Sequence, residues 1–363
     1  MADGPAPVKC LVWDLDNTLW RGTLLEDGEV VLPDEVRAVI TALDERGILQ
    51  SVASRNDHDL AWRQLERLGL AEYFVLPAIG WGAKSESVRA IADGLGFAHT
   101  AIAFVDDQPA ERAEVAFHLP EVRCYTHDQV PTLPDLPEFT PASVTADSRR
   151  RRQMYQANSR RAAARERFSG PDGEFLRSLE LVMRIGRADE AELARVEELT
   201  LRTSQMNATG VHYPDAVLRD MCDDPAHEVL VVTLADRFGP HGAVGVVLLA
   251  RHPDVWHLKL LATSCRVVSF GAGAVILNWL VDQAHRAGAH LAADFRPTGR
   301  NRMMDVAYRF AGLDDEPCAC LAAPAEPAEP DVVRLHVEPG PREAPDYVHL
   351  VAEDLSAPRV EQW

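Results

Sequence analysis

Positive charge is scarce in this sequence. Lysines and arginines number 37 against 56 aspartates and glutamates, for a formal net charge of -19. The deficit argues against a nucleic-acid partner and against binding to an anionic membrane surface. No apolar run reaches the ~18 residues of a membrane span. The polar, Pro-containing start Met1 to Pro7 does not read as a signal peptide, so the expected localisation is cytoplasmic. The six cysteines, Cys10, Cys124, Cys222, Cys265, Cys318 and Cys320, show no C-x-x-C spacing, and the thirteen histidines include no H-E-x-x-H. Free thiols are therefore expected, with no zinc site and no disulfide framework.

What is present is an ordinary globular composition, 47% apolar and 26% charged, in 363 residues. That length suffices for two domains, each with its own core. The stretch that organises the first is Val8 to Trp20. An apolar run ending at Trp13 reads as a strand buried on both faces, and Asp14 and Asp16 emerge where it ends. A carboxylate pair at the carboxyl edge of a parallel sheet suits phosphoryl transfer: one carboxylate attacks phosphorus, the other handles the leaving-group proton, and Mg²⁺ neutralises charge. Taken alone, the pair more often marks a strand ending in a helix-capping turn.

The following elements repeat the pattern. Trp20 to Leu32, with a turn at Glu26-Asp27-Gly28, reads as a hairpin flap, and a helix from Pro33 carries Val36, Val39, Ile40 and Leu43 on one face. Strand 48–53 ends at Ser54-Arg55-Asn56-Asp57, where a hydroxyl meets the amides of the next helix; Ser54 is either a phosphate ligand or an N-cap. A third strand is expected at Tyr73 to Leu76. Lys84 then opens a helix, against the helix dipole, so it either faces an anion or is a solvated surface residue. The strand Ala101 to Val105 runs into Asp106 and Asp107. Strands alternating with helices predict a doubly wound parallel sheet that gathers all these groups on one edge.

The phrases Val-Trp-Asp-Leu-Asp-Asn-Thr-Leu-Trp, Ala-Ser-Arg-Asn-Asp, Ile-Gly-Trp-Gly-Ala-Lys-Ser-Glu-Ser and Phe-Val-Asp-Asp-Gln-Pro resemble the four motifs of the haloacid dehalogenase superfamily, in its FkbH-like branch. The resemblance implies that Asp14 is the nucleophile and a Mg²⁺ ligand, and that Asp16 is the general acid/base, binding metal through its carbonyl. It further implies that Ser54 and Lys84 hold the phosphoryl group, and that Asp106 and Asp107 complete the metal site; Asn56 is expected to bind substrate beside them.

Residues 1–130 are thus expected to form the phosphatase-like domain. Residues 131–170 read as a connection: four prolines between Val130 and Pro141 suggest an extended linker, followed by an arginine-rich helix, Ser148 to Phe168. That helix is either a solvated bridge pairing with acidic neighbours or a docking site for an acidic partner. Residues 171–363 read as an α+β domain, with consecutive strands at 228–235, 243–250 and 255–263 and a glycine turn, Gly271-Ala272-Gly273, opening an apolar helix. The order is similar to the GNAT acyltransferase fold, although Gly271 lies five positions after Arg266, further than in the usual acetyl-CoA loop. The phrases containing Arg202, Gln205 and Asn207, then Cys265 and Arg266, then Arg300 and Asn301, look like the second half of FkbH-like proteins. Past Gly312 a Pro/Ala/Glu-rich stretch offers weak strands at 332–337 and 347–351, and Cys318 and Cys320 fall in this poorly organised tail.

The two-part resemblance implies a glyceryl transferase/phosphatase that takes 1,3-bisphosphoglycerate and loads glyceryl as a thioester onto the phosphopantetheine arm of an acyl carrier protein, for polyketide assembly. Cys265 is the expected acyl shuttle, with a buried structural thiol as the alternative. Two rivals stand beside this reading: a stand-alone Mg²⁺-dependent phosphatase, and an N-acyltransferase indifferent to Asp14.

Overall fold

The computed structural model describes residues 6–141, 144, 146–203, 205–322 and 331–357, excluding the side chains of 146, 147, 202 and 322. The chain divides into two units, Met1–Ser159 and Arg160–Trp363.

The first unit is a five-stranded sheet of β1 (Cys10–Trp13), β2 (Leu49–Ser54), β3 (Ala78–Ile79), β4 (Ile102–Val105) and β5 (Arg123–Tyr125), in the order β3-β2-β1-β4-β5. Every neighbouring pair is parallel. Alternation along β1 sends Leu11 and Trp13 to one face and Cys10 and Val12 to the other. The first face is covered by α2 (Asp34–Glu45) and α3 (His58–Arg67), through Val36, Val39, Ile40, Leu43, Ala61 and Leu65. The second is covered by α4 (Lys84–Leu95) and α5 (Pro109–His118), through Val88, Ile91, Ala92, Leu95 and Val115. A sheet buried on both faces places its functional groups on loops at its ends.

Three local expectations are corrected. The flap between β1 and α2 is a short helix, α1 (Leu24–Asp27), closed by a single antiparallel bridge between Arg21 and Val31. Residues 71–73 form a 3₁₀ turn; Phe74 bridges to Gln50 in passing, and β3 lies further on, at Ala78–Ile79. The proline-rich stretch is no extended linker: it coils into 3₁₀ segments over His127–Asp135 and Pro137–Phe139. Val130, Leu133, Leu136 and Phe139 recur every third residue, which aligns them on one face of a helix with three residues per turn. That face packs into the core beside α2, with Val130, Leu133 and Phe139 buried.

Next come α6 (Ala146–Arg149) and α7 (Arg151–Arg167). Gly47, at φ 74°, ends α2 so close to Ser148 that an added Cβ would stand 2.5 Å from the Ser148 carbonyl oxygen. In α7, Arg152 pairs with Asp44 at 2.9 Å and with Glu72 at 3.4 Å, and Arg151 donates to the Gly47 carbonyl. Further along, Arg161 pairs with Asp236 and Arg165 with Asp172. Much of the basic helix is therefore engaged with acidic neighbours.

Past α7, the second unit contains α8 (Asp172–Ser178) and a seven-stranded mixed sheet in the order β11-β10-β9-β8-β7-β6-β12. Its strands are β6 (Leu181–Arg187), β7 (His227–Asp236), β8 (Gly239–Arg251), β9 (Val255–Thr263), β10 (His290–Phe295), β11 (Val333–Val337) and β12 (Val348–Ala352). β6 to β9 run antiparallel to one another, whereas β10 pairs parallel with β9, and β12 parallel with β6. The two weak strands of the tail thus become the sheet's two edges. One face packs on α9 (Leu193–Arg202) and α10 (Asp215–Asp223), the other on α11 (Ala272–Ala287) and α12 (Arg302–Phe310).

Candidate functional sites

At the carboxyl edge of the first sheet, β1 ends in Asp14, whose amide is held by the Val105 carbonyl at 2.9 Å. Asn17, at φ 55°, turns the chain sharply, and the Leu15 carbonyl accepts from the amides of Thr18, Leu19 and Trp20. Asp14 and Asp16 are thereby presented from a fixed turn. Lys84, from the first turn of α4, is buried among them. Its Nζ donates to Asp14 Oδ1, to Asp106 Oδ2 at 3.0 Å and to the Ala53 carbonyl at 2.9 Å. The solvated-surface alternative for Lys84 is thus excluded: it is 3% exposed.

Burial pushes the Asp14 carboxyl up to about 6; the Lys84 ammonium opposes this and the Asp106 carboxylate adds to it. For Lys84, burial disfavours the charged form, but the Asp14 and Asp106 carboxylates outweigh it and hold the ammonium above its usual value. Carboxylate oxygens of Asp14, Asp106 and Asp107 lie within 4.8 Å of one another. Asp107 is braced by Thr18, which accepts from the Asp107 amide at 2.9 Å. One lysine thus faces more negative charge than it can neutralise, a donor set that fits a hard divalent cation.

Asp16 is held by three donors: Trp20 Nε1 at 2.8 Å, the Leu24 amide at 3.0 Å and Asn56 Nδ2 at 2.9 Å. Asn56 therefore orients Asp16, a job different from the substrate contact expected of it. Ser54, at the end of β2, is buried, and its Oγ makes no hydrogen bond among the described residues. Arg55 pairs with Glu111 at 2.8 Å and donates to the Gly82 carbonyl at 3.2 Å, tying together the segments that follow β2, β3 and β4. Beside Gly82, Trp81 is 70% exposed.

In the second unit, β9 and β10 pair only from Val255 to Leu258 and then part. Main chain from Met206 to Ala208 fills the gap: Thr263 N donates to the Met206 carbonyl at 2.8 Å, Ala208 N to the Leu261 carbonyl at 3.0 Å, and Arg296 N to the Ala208 carbonyl at 3.0 Å. The three polar phrases of this half thus meet at one end of the sheet. Asn207 and Asn301 hold that junction. Asn301 Nδ2 donates to the carbonyls of Arg296, Asn207 and Ala208 at 2.9, 3.0 and 3.2 Å, and Asn207 Oδ1 accepts from the Thr209 and Gly210 amides at 3.1 and 2.6 Å. Both were expected to bind substrate; both are 1% exposed and spent on backbone.

Cys265 lies just past β9 and is the only exposed cysteine of the six. It borders a cleft of about 270 Å³ shared with Arg195, Glu198, Thr203, Gln205 and Ser264. The Arg266 guanidinium turns to Ser264 Oγ at 3.2 Å. Arg300 and Gln205 are exposed, and the side chain of Arg202 lies outside the described residues. The glycine turn is tighter than expected, since a Cβ on Gly271 would meet Tyr347 Oη at 2.6 Å.

One cluster escaped the sequence reading altogether. Cys318 and Cys320, placed in a disorganised tail, instead join His290 and His336, with ligand atoms within 4.8 Å of one another. A C-x-C pair whose histidine partners come from distant strands has no linear signature.

No family model matches this chain, and neither does any curated protein at the significance required. Among solved structures the chain is similar to the N-terminal part of BF1531 from Bacteroides fragilis, containing a phosphatase domain and complexed with Mg, at 27% identity over 37% of this chain, with a TM-score of 0.33. The match spans 40% of that protein's chain. It is also similar to the GNAT domain of S. lividans PAT, at 14% identity over 42% of this chain and 88% of that one, TM-score 0.32. A third similarity is to the ribosomal-protein-S18-alanine N-acetyltransferase from Escherichia coli, at 14% identity over 45% of this chain and 97% of that one, TM-score 0.32.

Proposed function

We propose that the chain is a Mg²⁺-dependent phosphatase coupled to acyl transfer, taking 1,3-bisphosphoglycerate and delivering glyceryl as a thioester to the phosphopantetheine thiol of an acyl carrier protein. The observation that carries the phosphatase half is the buried contact of Asp14, Lys84 and Asp106 at the sheet's carboxyl edge. Asp14 attacks phosphorus, the ester P–O bond breaks, and Asp16, fixed by its three donors, gives the leaving oxygen its proton. Water, deprotonated by Asp16, then frees phosphate from Asp14. Lys84 and Ser54 hold the phosphoryl oxygens. Asp14, Asp106 and Asp107, with the Asp16 carbonyl, would hold Mg²⁺, which supplies the charge neutralisation that an anionic nucleophile meeting an anionic phosphate requires.

Acyl transfer is assigned to the second unit. An acyl phosphate is already activated, so the Cys265 thiolate can take the acyl group with loss of phosphate and pass it to the carrier thiol without ATP. Exposure of Cys265 beside a cleft lined by both polar and apolar side chains supports this role. Arg149, Arg150 and Arg167 are exposed and make no ion pair among the described residues, leaving them available to steer an acidic carrier. Arg151 and Arg152 hold the first unit's own backbone and carboxylates.

One observation favours a rival, a phosphatase whose second unit is a scaffold: main chain of Met206 to Ala208 occupies the gap where β9 and β10 part. Intact-mass analysis separates the two. After exposure to enzymatically generated 1,3-bisphosphoglycerate, a holo carrier protein should gain one glyceryl group with wild type, and none with Cys265→Ala, which should still release phosphate. A carrier that gains no mass with wild type, while phosphate is released, would establish the scaffold reading.

A further inference from the structure

The geometry points to a zinc site in the second unit, formed by His290, Cys318, Cys320 and His336 and separate from the chemistry of either candidate site. On the antiparallel pair β10 and β11, His336 stands opposite Ala292. His290, two residues before Ala292, therefore projects from the same face as a diagonal neighbour of His336. Their rings lie parallel within 8°, with centroids 6.2 Å apart. Onto this pair folds the short turn containing Cys318 and Cys320. Cys320 is buried against Val255 and Ala292, and Cys318 Sγ stands 3.6 Å from His290 Nδ1. A tetrahedral zinc with Zn–S of about 2.3 Å and Zn–N of about 2.0–2.1 Å separates a sulfur and a nitrogen ligand by about 3.6 Å. The four ligand atoms as a group lie within 4.8 Å of one another.

A second observation comes from His336. Its Nδ1 is buried and has no hydrogen-bond partner among the described residues, while Nε2 lies 3.5 Å from Asp314 Oδ1. A carboxylate beside one ring nitrogen, with the other nitrogen left for the metal, is the usual arrangement of a metal-bound imidazole. Two thiolates and two neutral imidazoles cancel the charge of Zn²⁺, so the filled site buries no net charge. Each ion taken up releases the two thiol protons to solvent. Sulfur and nitrogen donors in tetrahedral array select zinc over the hard cation of the acidic site, and four protein ligands leave no position open for a substrate. The ion therefore acts as a fastener, holding the 318–322 turn against β10 and the edge strand β11.

The test is elemental analysis of the full chain, purified from zinc-supplemented cells under reducing conditions without chelator. About one zinc per chain is expected, close to zero in Cys320→Ser and in His336→Gln, and unchanged in Asp14→Asn, which alters only the acidic site. Because the first two variants can misfold, wild type is also stripped with a chelator and titrated with Co²⁺, which should develop the visible absorption of tetrahedral thiolate-bound cobalt. Thiol counts on the native protein should rise by at least one when the zinc is removed, from the partly exposed Cys318. Folded wild type without zinc, zinc retained in both ligand variants, or a Cys318–Cys320 disulfide found by peptide mapping of freshly purified protein would each overturn the assignment.

Discussion

The two units seat their proposed chemistry differently. In the first, Lys84, Asp14 and Asp106 are charged, buried and bonded to one another, so the side chains proposed to do chemistry also hold each other in place. In the second, the buried asparagines 207 and 301 are bonded to main chain, and the proposed nucleophile, Cys265, stands outside the core. The difference teaches that substitution in the first unit should couple activity to stability, whereas in the second the two should separate.

The strongest test of that contrast is Asp14→Asn. Removing the nucleophile should lower phosphate release by on the order of 10⁴-fold or more. The melting temperature should change with it, upward, because burial makes the ionised Asp14 carboxylate costly and the neighbouring Asp106 carboxylate adds to that cost. Measurable turnover with an intact melt would undo the assignment of Asp14. Next is Lys84→Met, which leaves Asp14 and Asp106 buried without their counter-charge. A loss of about 3–5 kcal/mol is expected, since that is the cost of removing one partner of a buried ion pair. Calorimetry would read it as a lowered first-unit transition partly restored by Mg²⁺; an unchanged transition would show that the lysine does not hold the site together.

Asn301→Ala breaks the comparison from the other side. Three carbonyls lose a shared donor, and about 1–3 kcal/mol of second-unit stability should go with it. Phosphate release should be untouched, so a drop in phosphatase rate at unchanged stability would contradict the structural role. The smallest effect is expected at Asp236, in the tight β7–β8 turn. Burial works to raise its carboxyl, but hydrogen bonds from His241 and Arg161 outweigh this and hold it far below the usual range. A carboxyl depressed in the native state contributes stability that is complete above about pH 4 and is withdrawn as pH falls below it. Acid titration followed by circular dichroism should show that slope in wild type and a flatter one in Asp236→Asn; equal slopes would remove Asp236 from the acid response.

The alternation of strands and helices in the first unit was legible because each strand is a short apolar run bounded by turn residues, and the motif residues fall at strand ends. What escaped reading obeys other periods or none. Val130, Leu133, Leu136 and Phe139 repeat every three residues, a spacing hidden by the prolines among them. Asn56 and Ser54 look alike as polar residues after a strand, and only the structure shows that the first serves Asp16. Asn207 and Asn301 share no local pattern, since each is explained by carbonyls that long-range folding brings to it. The edge strands β11 and β12 were readable as weak strands but not as neighbours of β10 and β6, because that pairing depends on contacts across most of the unit.

The coiled proline-rich segment has a consequence for synthesis. The Val8 amide, just ahead of the first strand to be made, donates to the Glu138 carbonyl at 2.8 Å, and Phe139 fills the core beside α2. At ordinary elongation rates these partners leave the ribosome on the order of ten seconds apart. Through that interval the part of the core that Val130, Leu133 and Phe139 fill beside α2 stays uncovered. A chain arrested after β5 should therefore be held by chaperones and cut by proteases, and a chain arrested after α6 should be protected.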